Sequence, residues 1–127
     1  MQLFTFHFAK IRIDTAVKAL LRPPTGEKVP GLTHAECMWK MTLGAPILSP
    51  ARMQLRHLTM FAAWESHAAI DDFLDSTQLG RAFATGWHVR LAFLRRWGHI
   101  TEFDGLAESV GEQDPEAPVV AVTLARM

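Results

Sequence analysis

Residues 3–8 read Leu-Phe-Thr-Phe-His-Phe, with a phenylalanine at every second position. Side chains alternate between the two faces of a β-strand, so this period of two collects the three aromatic rings on one face. The other face of the same segment carries Leu3, Thr5 and His7. The segment is predicted to be a strand with one strongly aromatic face.

Outward from this strand, apolar spacing predicts three more strands and two helices. Asp14 and Ser66 stand where each could cap the first turn of a helix. Turn-forming and small residues near 76–80 predict a break or kink in the second helix. The predicted strands cover residues 3–8, 32–43, 53–64 and 87–97, and the predicted helices cover residues 15–22 and 66–85. The second and third strands are expected to pair antiparallel.

The resulting order, β-α-β-β-α-β, is typical of the ferredoxin-like α+β fold, a four-stranded antiparallel sheet with both helices on one face. Phe4, Phe6 and Phe8 lie on one side of the first strand, and Trp39 and Met38 lie on opposite sides of the second, so both faces of the sheet carry large apolar side chains. A soluble monomer does not readily leave such a surface in water. A second copy is therefore expected to cover it, with two sheets closing into a dimeric α/β barrel about a two-fold axis.

The chain has 127 residues, of which 49% are hydrophobic and 20% charged, and its formal net charge is +0. This zero is a cancellation, because residues 1–103 hold 12 basic and 8 acidic residues whereas residues 104–127 hold 1 and 5. A weak positive excess spread over a hundred residues argues against a nucleic-acid binder. The composition predicts a barrel domain over 1–103, an acidic linker over 104–118 and one extra strand over 119–127.

Cysteine content and hydropathy indicate the cellular compartment in which the protein is expected. A single cysteine, Cys37, permits no intrachain disulfide, which fits a reducing environment. No apolar run reaches the roughly 18 residues that a membrane span needs, and the first residues lack a basic signal-peptide start. We expect a cytoplasmic protein without a transmembrane segment.

Five short blocks between residues 31 and 105 together resemble one known family. They are Gly31-Leu32, Met38-Trp39-Lys40-Met41 before Gly44, Phe61-Ala62-Ala63-Trp64-Glu65, Trp87-His88-Val89-Arg90-Leu91 and Arg95-Arg96-Trp97-Gly98. Their order and spacing resemble the spheroidene monooxygenase-like family of the dimeric α/β-barrel superfamily, which also includes antibiotic-biosynthesis and heme-degrading monooxygenases. The resemblance implies a barrel enzyme that oxidises an apolar substrate.

The same resemblance offers one interpretation of the C-terminal segment. Family members resemble two tandem ferredoxin-like halves, and residues 118–126 are similar to the strand that opens the second half. Alternatively, this segment adds to a sheet edge of its own subunit or of a partner. The sequence leaves both interpretations open.

A heme site is one expectation, because a single axial imidazole in an apolar cavity can hold heme while Arg or Lys meets its propionates. His88 is the leading candidate for the iron ligand, since Trp87 and Arg90 flank it. Trp39 and Lys40 are the other candidate cofactor-binding residues. The alternative is that His88 is a hydrogen-bonded residue at the start of a strand.

His57 shares a predicted strand with Arg56 and could act there as an acid or base. The alternative interpretation makes His57 a half-buried strand residue without a catalytic role. No nucleophile elbow, P-loop or dinucleotide-binding glycine motif occurs, and tyrosine is absent. Cys37 lies within an apolar strand and is expected to be inert packing.

Two functions follow as hypotheses. The first is a homodimeric monooxygenase-like protein that acts on a small or elongated hydrophobic substrate in the barrel cavity, with or without heme. The second is a non-catalytic ligand-binding or dimeric assembly module of the same fold. The absence of a recognisable acid and base pair favours the second, whereas the family resemblance favours the first.

Overall fold

The computed structural model describes residues 2–41, 53–111, 114 and 116–125, and it divides the chain into two units, Met1–Phe93 and Leu94–Met127. The first unit holds all the regular strands and α-helices of the described residues. They are β1 (Leu3–Lys10), α1 (Ile13–Leu21), β2 (Leu32–Met41), β3 (Met53–Trp64), α2 (His67–Ser76), α3 (Gln78–Ala84) and β4 (Trp87–Ala92). None of the helices is long and apolar enough to cross a membrane.

The four strands form one antiparallel sheet in the order β2-β3-β1-β4. Together with the chain order of the elements, this gives the ferredoxin-like α+β fold and confirms the predicted topology. The predicted antiparallel pairing of β2 and β3 is also confirmed. β1 lies in the middle of the sheet, where Phe6 pairs with Phe61 of β3 on one side and with Val89 of β4 on the other.

The hydrophobic core lies between one face of this sheet and the helices. Alternate residues of β1 and β3, such as Leu3 and Trp64, are buried there against Ala16 of α1, Phe73 of α2 and Phe83 of α3. Burying large side chains of this kind contributes about 1.5–3 kcal/mol each. We call this side of the sheet the helix face.

The other side of the sheet, which we call the phenylalanine face, carries the aromatic row of β1 and its neighbours. Its members are Phe4, Phe6 and Phe8 of β1, His34, Glu36, Met38 and Lys40 of β2, His57, Thr59, Phe61 and Ala63 of β3, and Trp87, Val89 and Leu91 of β4. Phe4 stacks on Phe61 with ring centroids 5.2 Å apart. Trp87 is nevertheless 54% exposed, and Met38 and Val89 are also exposed. This surface is apolar and aromatic along β1 and β4 and carries polar side chains on β2, where His34 and Glu36 pair with each other.

Of the two predicted helix caps, Asp14 is wrong and Ser66 is confirmed. α1 begins at Ile13 and its N-cap residue is Arg12, so Asp14 lies in the first turn and does not cap the helix. Asp14 instead pairs with Arg12 at 3.2 Å. Ser66 does cap α2, because its hydroxyl accepts a hydrogen bond from the backbone N–H of Ala69 at 3.2 Å.

The predicted break in the second helix is also confirmed, and Thr77 forms it. Its hydroxyl donates to the carbonyl of Phe73 at 2.8 Å and accepts from the backbone N–H of Gly80 at 2.8 Å. One side chain therefore ends α2 and caps α3. Gly80 is required in this corner, since a Cβ there would lie 1.8 Å from the Phe73 carbonyl oxygen.

Strand β4 is shorter than predicted, ending at Ala92 instead of residue 97. The reason is its partner, since Ala92 pairs with Leu3 at the start of β1 and only one further bond, from the N–H of Phe93 to the carbonyl of Gln2, extends the ladder. A strand cannot continue where no neighbouring backbone remains to pair with it. The end of the predicted strand 32–43 lies beyond Met41 and outside the described residues.

In the second unit, residues after Leu94 turn back on themselves. Arg95 forms an isolated antiparallel bridge with Ser109, and the N–H of Val110 donates to the carbonyl of Leu94 at 2.8 Å. The described part of the segment predicted as an extra strand, residues 119–125, has no strand structure in the single chain, and its pairing with a partner or with a second half stays a prediction. Strand structure needs a paired neighbour, and among the described residues none pairs with this segment.

Candidate binding sites on the two sheet faces

The register of the sheet separates the residues predicted to share one site. Trp87 pairs with Phe8 and lies on the phenylalanine face, whereas His88 pairs with His7 and lies on the helix face. Arg90 is on the same side as His88. On β2, Trp39 pairs with the core residue Leu58 on the helix side.

Lys40 and His57 come together with Trp87 around Phe8 on the phenylalanine face. The Lys40 Nζ lies 5.6 Å from the centroid of the Phe8 ring, and the His57 ring stacks on the same ring at 5.9 Å. Trp87 completes the group at 6.0 Å from Phe8 and 5.9 Å from Phe6. We call these five residues the Phe8 cluster.

The Phe8 cluster combines the two properties that a planar apolar anion requires. Phe8 and Trp87 offer aromatic surface for stacking. Lys40 is exposed and supplies a positive charge, while the half-buried imidazole of His57 can donate or accept a proton. This arrangement suits a binding site better than a protein core, since a core would not hold a lysine.

Arg56 does not join His57, although the two are neighbours in sequence. Successive strand residues face opposite sides, and Arg56 lines a groove of about 580 Å³ at the end of β1 together with Lys10, Arg12 and Asp14. The predicted pair of His57 and Arg56 is thus divided between two surfaces. Any chemistry that His57 performs has Lys40 as its nearest cationic partner on the Phe8 cluster.

A buried polar chain crosses the helix face. Trp64 Nε1 donates to the hydroxyl of Thr5 at 2.7 Å, and the same hydroxyl contacts His7 Nε2 at 2.8 Å. Tryptophan only donates, so the arrangement that uses the threonine proton has Thr5 donating to His7. Thr5 and His7 are both fully buried.

His7 is held in a neutral, apolar setting. Its ring lies 5.3 Å from Phe83 and 6.1 Å from Phe73, and it stacks on His88 at 5.1 Å. Burial lowers the pKa of His7 to about 3, with smaller contributions from His88 and Arg90. Within the described residues its Nδ1 atom has no hydrogen-bond partner.

His88 and Arg90 lie next to each other on the helix side of β4, and α2 supplies two more members of the group. Arg90 contacts His88 Nε2 at 3.4 Å and His67 Nδ1 at 3.1 Å, and it donates to Asp71 Oδ1 at 2.5 Å. Burial, followed by the charge of Arg90, lowers the pKa of His88. The hydrogen bond from Arg90 lowers the pKa of Asp71.

The five candidate heme-binding residues do not fit one heme. His88 lies on the helix face with its ring stacked on His7 and its Nε2 against Arg90 Nε. Trp87 and Lys40 lie on the phenylalanine face, so the sheet itself separates them from the candidate iron ligand. We therefore derive no step through heme.

The free thiol of Cys37 is also unsuited to nucleophilic chemistry. Burial, assisted by the charge of Glu36, raises the pKa of Cys37 to about 12. A thiol with such a pKa stays protonated near neutral pH, and the thiolate is the reactive form. The structure agrees with inert packing for this residue.

The network around Arg90 contains two members, His67 and Asp71, that the sequence did not single out. They lie four residues apart on α2 and so share one helix face, which is a signal that the sequence does carry. What the sequence could not supply is the register that places this face against Arg90. The stacking of His7 on His88 depends on the same register.

Comparisons with known proteins give one match. No family model matches the chain, and no curated protein matches it. A solved structure described as a dimeric ferredoxin-like protein of unknown function from Jannaschia sp. CCS1 is similar, with a TM-score of 0.46 and 17% identity. The match covers 73% of this chain and 100% of that chain. The ferredoxin-like topology stands on the strand order itself, and the resemblance to the spheroidene monooxygenase-like family stays a prediction.

Proposed function

We propose that this protein is a homodimer that binds a planar, apolar small molecule carrying an acidic group between the phenylalanine faces of its two copies. The observation that carries this proposal is the Phe8 cluster, in which a lysine and a histidine flank the same aromatic ring. Aromatic surface supplies most of the binding energy, and Lys40 selects for negative charge.

The homodimer follows from the exposed part of the phenylalanine face. Trp87 and Val89 of β4 and Met38 of β2 are large apolar side chains that remain exposed within the chain. Covering them with the same surface of a second copy gives a two-fold interface and encloses a ligand that lies against Phe8. Exclusion of water would strengthen the attraction between Lys40 and the ligand's charge.

The binding test uses 2-naphthoate as the planar anion and 2-naphthamide as its neutral match, titrated by quenching of tryptophan fluorescence. We expect naphthoate to bind more tightly, and Lys40→Met to weaken naphthoate about tenfold while leaving the amide unchanged, as loss of one charge-assisted contact predicts. Lys18→Met, at an exposed position of α1, is the matched control and should change neither. Equal affinity for the two probes would overturn the acidic ligand class.

The same samples test the dimer. Light scattering should give twice the chain mass of 14.2 kDa. Val89→Lys places a charge on the phenylalanine face and should reduce both the mass and the naphthoate affinity, whereas Leu21→Lys on exposed α1 should alter neither. A wild-type monomer that still binds naphthoate would contradict the homodimer and would support only the binding site at the Phe8 cluster.

A monooxygenase activity is the second candidate, and the position of His57 beside the Phe8 ring favours it. The imidazole could take the hydroxyl proton of an electron-rich phenol, which then reduces O₂ without a cofactor. With 1-naphthol as the probe, one oxygen atom enters the ring to give 1,4-naphthoquinone and the other leaves as water. We expect His57→Gln to abolish oxygen uptake while keeping naphthoate affinity within about threefold. No uptake by the wild-type dimer would leave the binding module as the function.

A further inference from the structure

One guanidinium, that of Arg90, connects the edge strand β4 to helix α2. Its Nη1 and Nη2 atoms reach His67 Nδ1 and Asp71 Oδ1 on α2, while its Nε atom faces His88 Nε2 on β4 itself. The Arg90 side chain is 28% exposed and Asp71 is 60% exposed, so the connection lies near the surface of the unit. The proposed ligand site is on the opposite face of the sheet, and this network is independent of it.

The chemistry of arginine fixes the protonation of its partners. A guanidinium has only donors, so a histidine nitrogen that contacts it must carry a lone pair. His67 therefore has its proton on Nε2, and His88 has its proton on Nδ1. Both imidazoles must be neutral in this arrangement. Asp71 remains ionised in mild acid, because the hydrogen bond from Arg90 lowers its pKa.

We propose that Arg90 is an acid-released latch that holds α2 against β4 through the neutral imidazole of His67 and the carboxylate of Asp71, while the neutral imidazole of His88 on β4 holds the guanidinium in place. Protonation of His67 and His88 replaces both lone pairs by N–H donors and places two positive charges beside the guanidinium. Asp71 is then the remaining acceptor, and the new imidazolium groups compete for it. The contacts between Arg90 and α2 then weaken, and α2 separates more often from strand β4.

The groups that face His88 come from every element packed against it. His7 of β1 stacks on its ring, Arg90 lies next to it on β4, and Asp71 of α2 acts in the opposite direction by favouring the charged form. Burial has the largest effect on its pKa and lowers it. His88 therefore takes its proton below the usual histidine range, while the buried His7 stays neutral until the pH is near 3.

Hydrogen exchange of the full chain, measured by mass spectrometry and corrected for intrinsic rates, tests the latch. Between about pH 8 and about pH 4.5, protection of α2 should fall about tenfold more than that of α1, which lacks these contacts and reports the general loss of stability in acid. His67→Asn with His88→Gln supplies carbonyl acceptors in place of both nitrogens and should nearly remove the additional loss of α2 relative to α1. Arg90→Met should leave α2 weakly protected at both pH values.

Wild-type α2 protection that falls no more than that of α1 would overturn the latch, as would the same additional loss of α2 in the double variant. Should the variants fail to fold, long-range ¹H–¹⁵N spectra of the wild-type histidines decide instead. The latch requires the Nε2-protonated form of His67 and the Nδ1-protonated form of His88 near pH 8, together with loss of both on acidification. The opposite tautomers would exclude Arg90 as their donor.

Discussion

Acidification from pH 6.5 to about 3 is expected to remove up to about 5 kcal/mol from the free energy of unfolding, with His7 as the main cause. The pKa of His7 is about 3 in the folded chain and has its ordinary value of 6.5 when the chain unfolds. The unfolded chain therefore binds the proton first. The stability is complete above pH 6.5 and is lost progressively as the pH falls toward 3.

The physical cause of this loss is the surroundings of the ring. His7 is fully buried among Phe73, Phe83 and His88, and among the described residues its one hydrogen-bond partner is the hydroxyl of Thr5. A charged imidazole there would lose its hydration without gaining a carboxylate partner. In the folded chain His7 therefore stays neutral at pH values where the unfolded chain already protonates it.

Urea unfolding across this pH range measures the effect, and His7→Phe is the informative variant. Phenylalanine keeps a ring against Phe83 but cannot be protonated, so the acid loss of stability should become much smaller. His99→Gln, at an exposed position of the second unit, is the matched control and should retain the wild-type slope. An unchanged slope in His7→Phe would assign acid lability to other groups.

Replacing Gly80 by alanine should cost about 3 kcal/mol of unfolding free energy, because a new Cβ has no space in the corner between α2 and α3. That atom would lie 1.8 Å from the Phe73 carbonyl oxygen and 2.7 Å from the Thr77 hydroxyl. The nearer neighbour is backbone and cannot rotate away. The carbonyl also accepts the hydrogen bond of Thr77, so any shift there disturbs the cap of α3.

Thermal unfolding would show this cost as a decrease of about 10 °C or more in the melting temperature. Gly105→Ala is the matched control, because its Cβ meets nothing within 4 Å and should leave the melting temperature nearly unchanged. A Gly80→Ala variant as stable as the control would mean that the corner can open at low cost. The close contact between the two helices would then be unnecessary for the fold.

Local patterns were sufficient for most of the secondary structure. The bounds of β3, the cap at Ser66 and the break before α3 follow from period-two alternation and from hydroxyl side chains at helix starts. The start of α1 was predicted wrongly because an aspartate near a helix start stabilises the first turn as well as the cap position. The end of β4 depended on where β1 begins, which is not a local property.

The sequence by itself determined the ferredoxin-like order of elements and the aromatic face of β1, because the spacing of apolar residues fixes which side chains share a face. Only the tertiary structure decided which residues meet. Alternation along β4 already puts Trp87 and His88 on opposite faces, but only the register of β4 on β1 places Trp87 at the Phe8 cluster and His88 beside His7. Register is set by the packing of the whole sheet, so no short segment contains it.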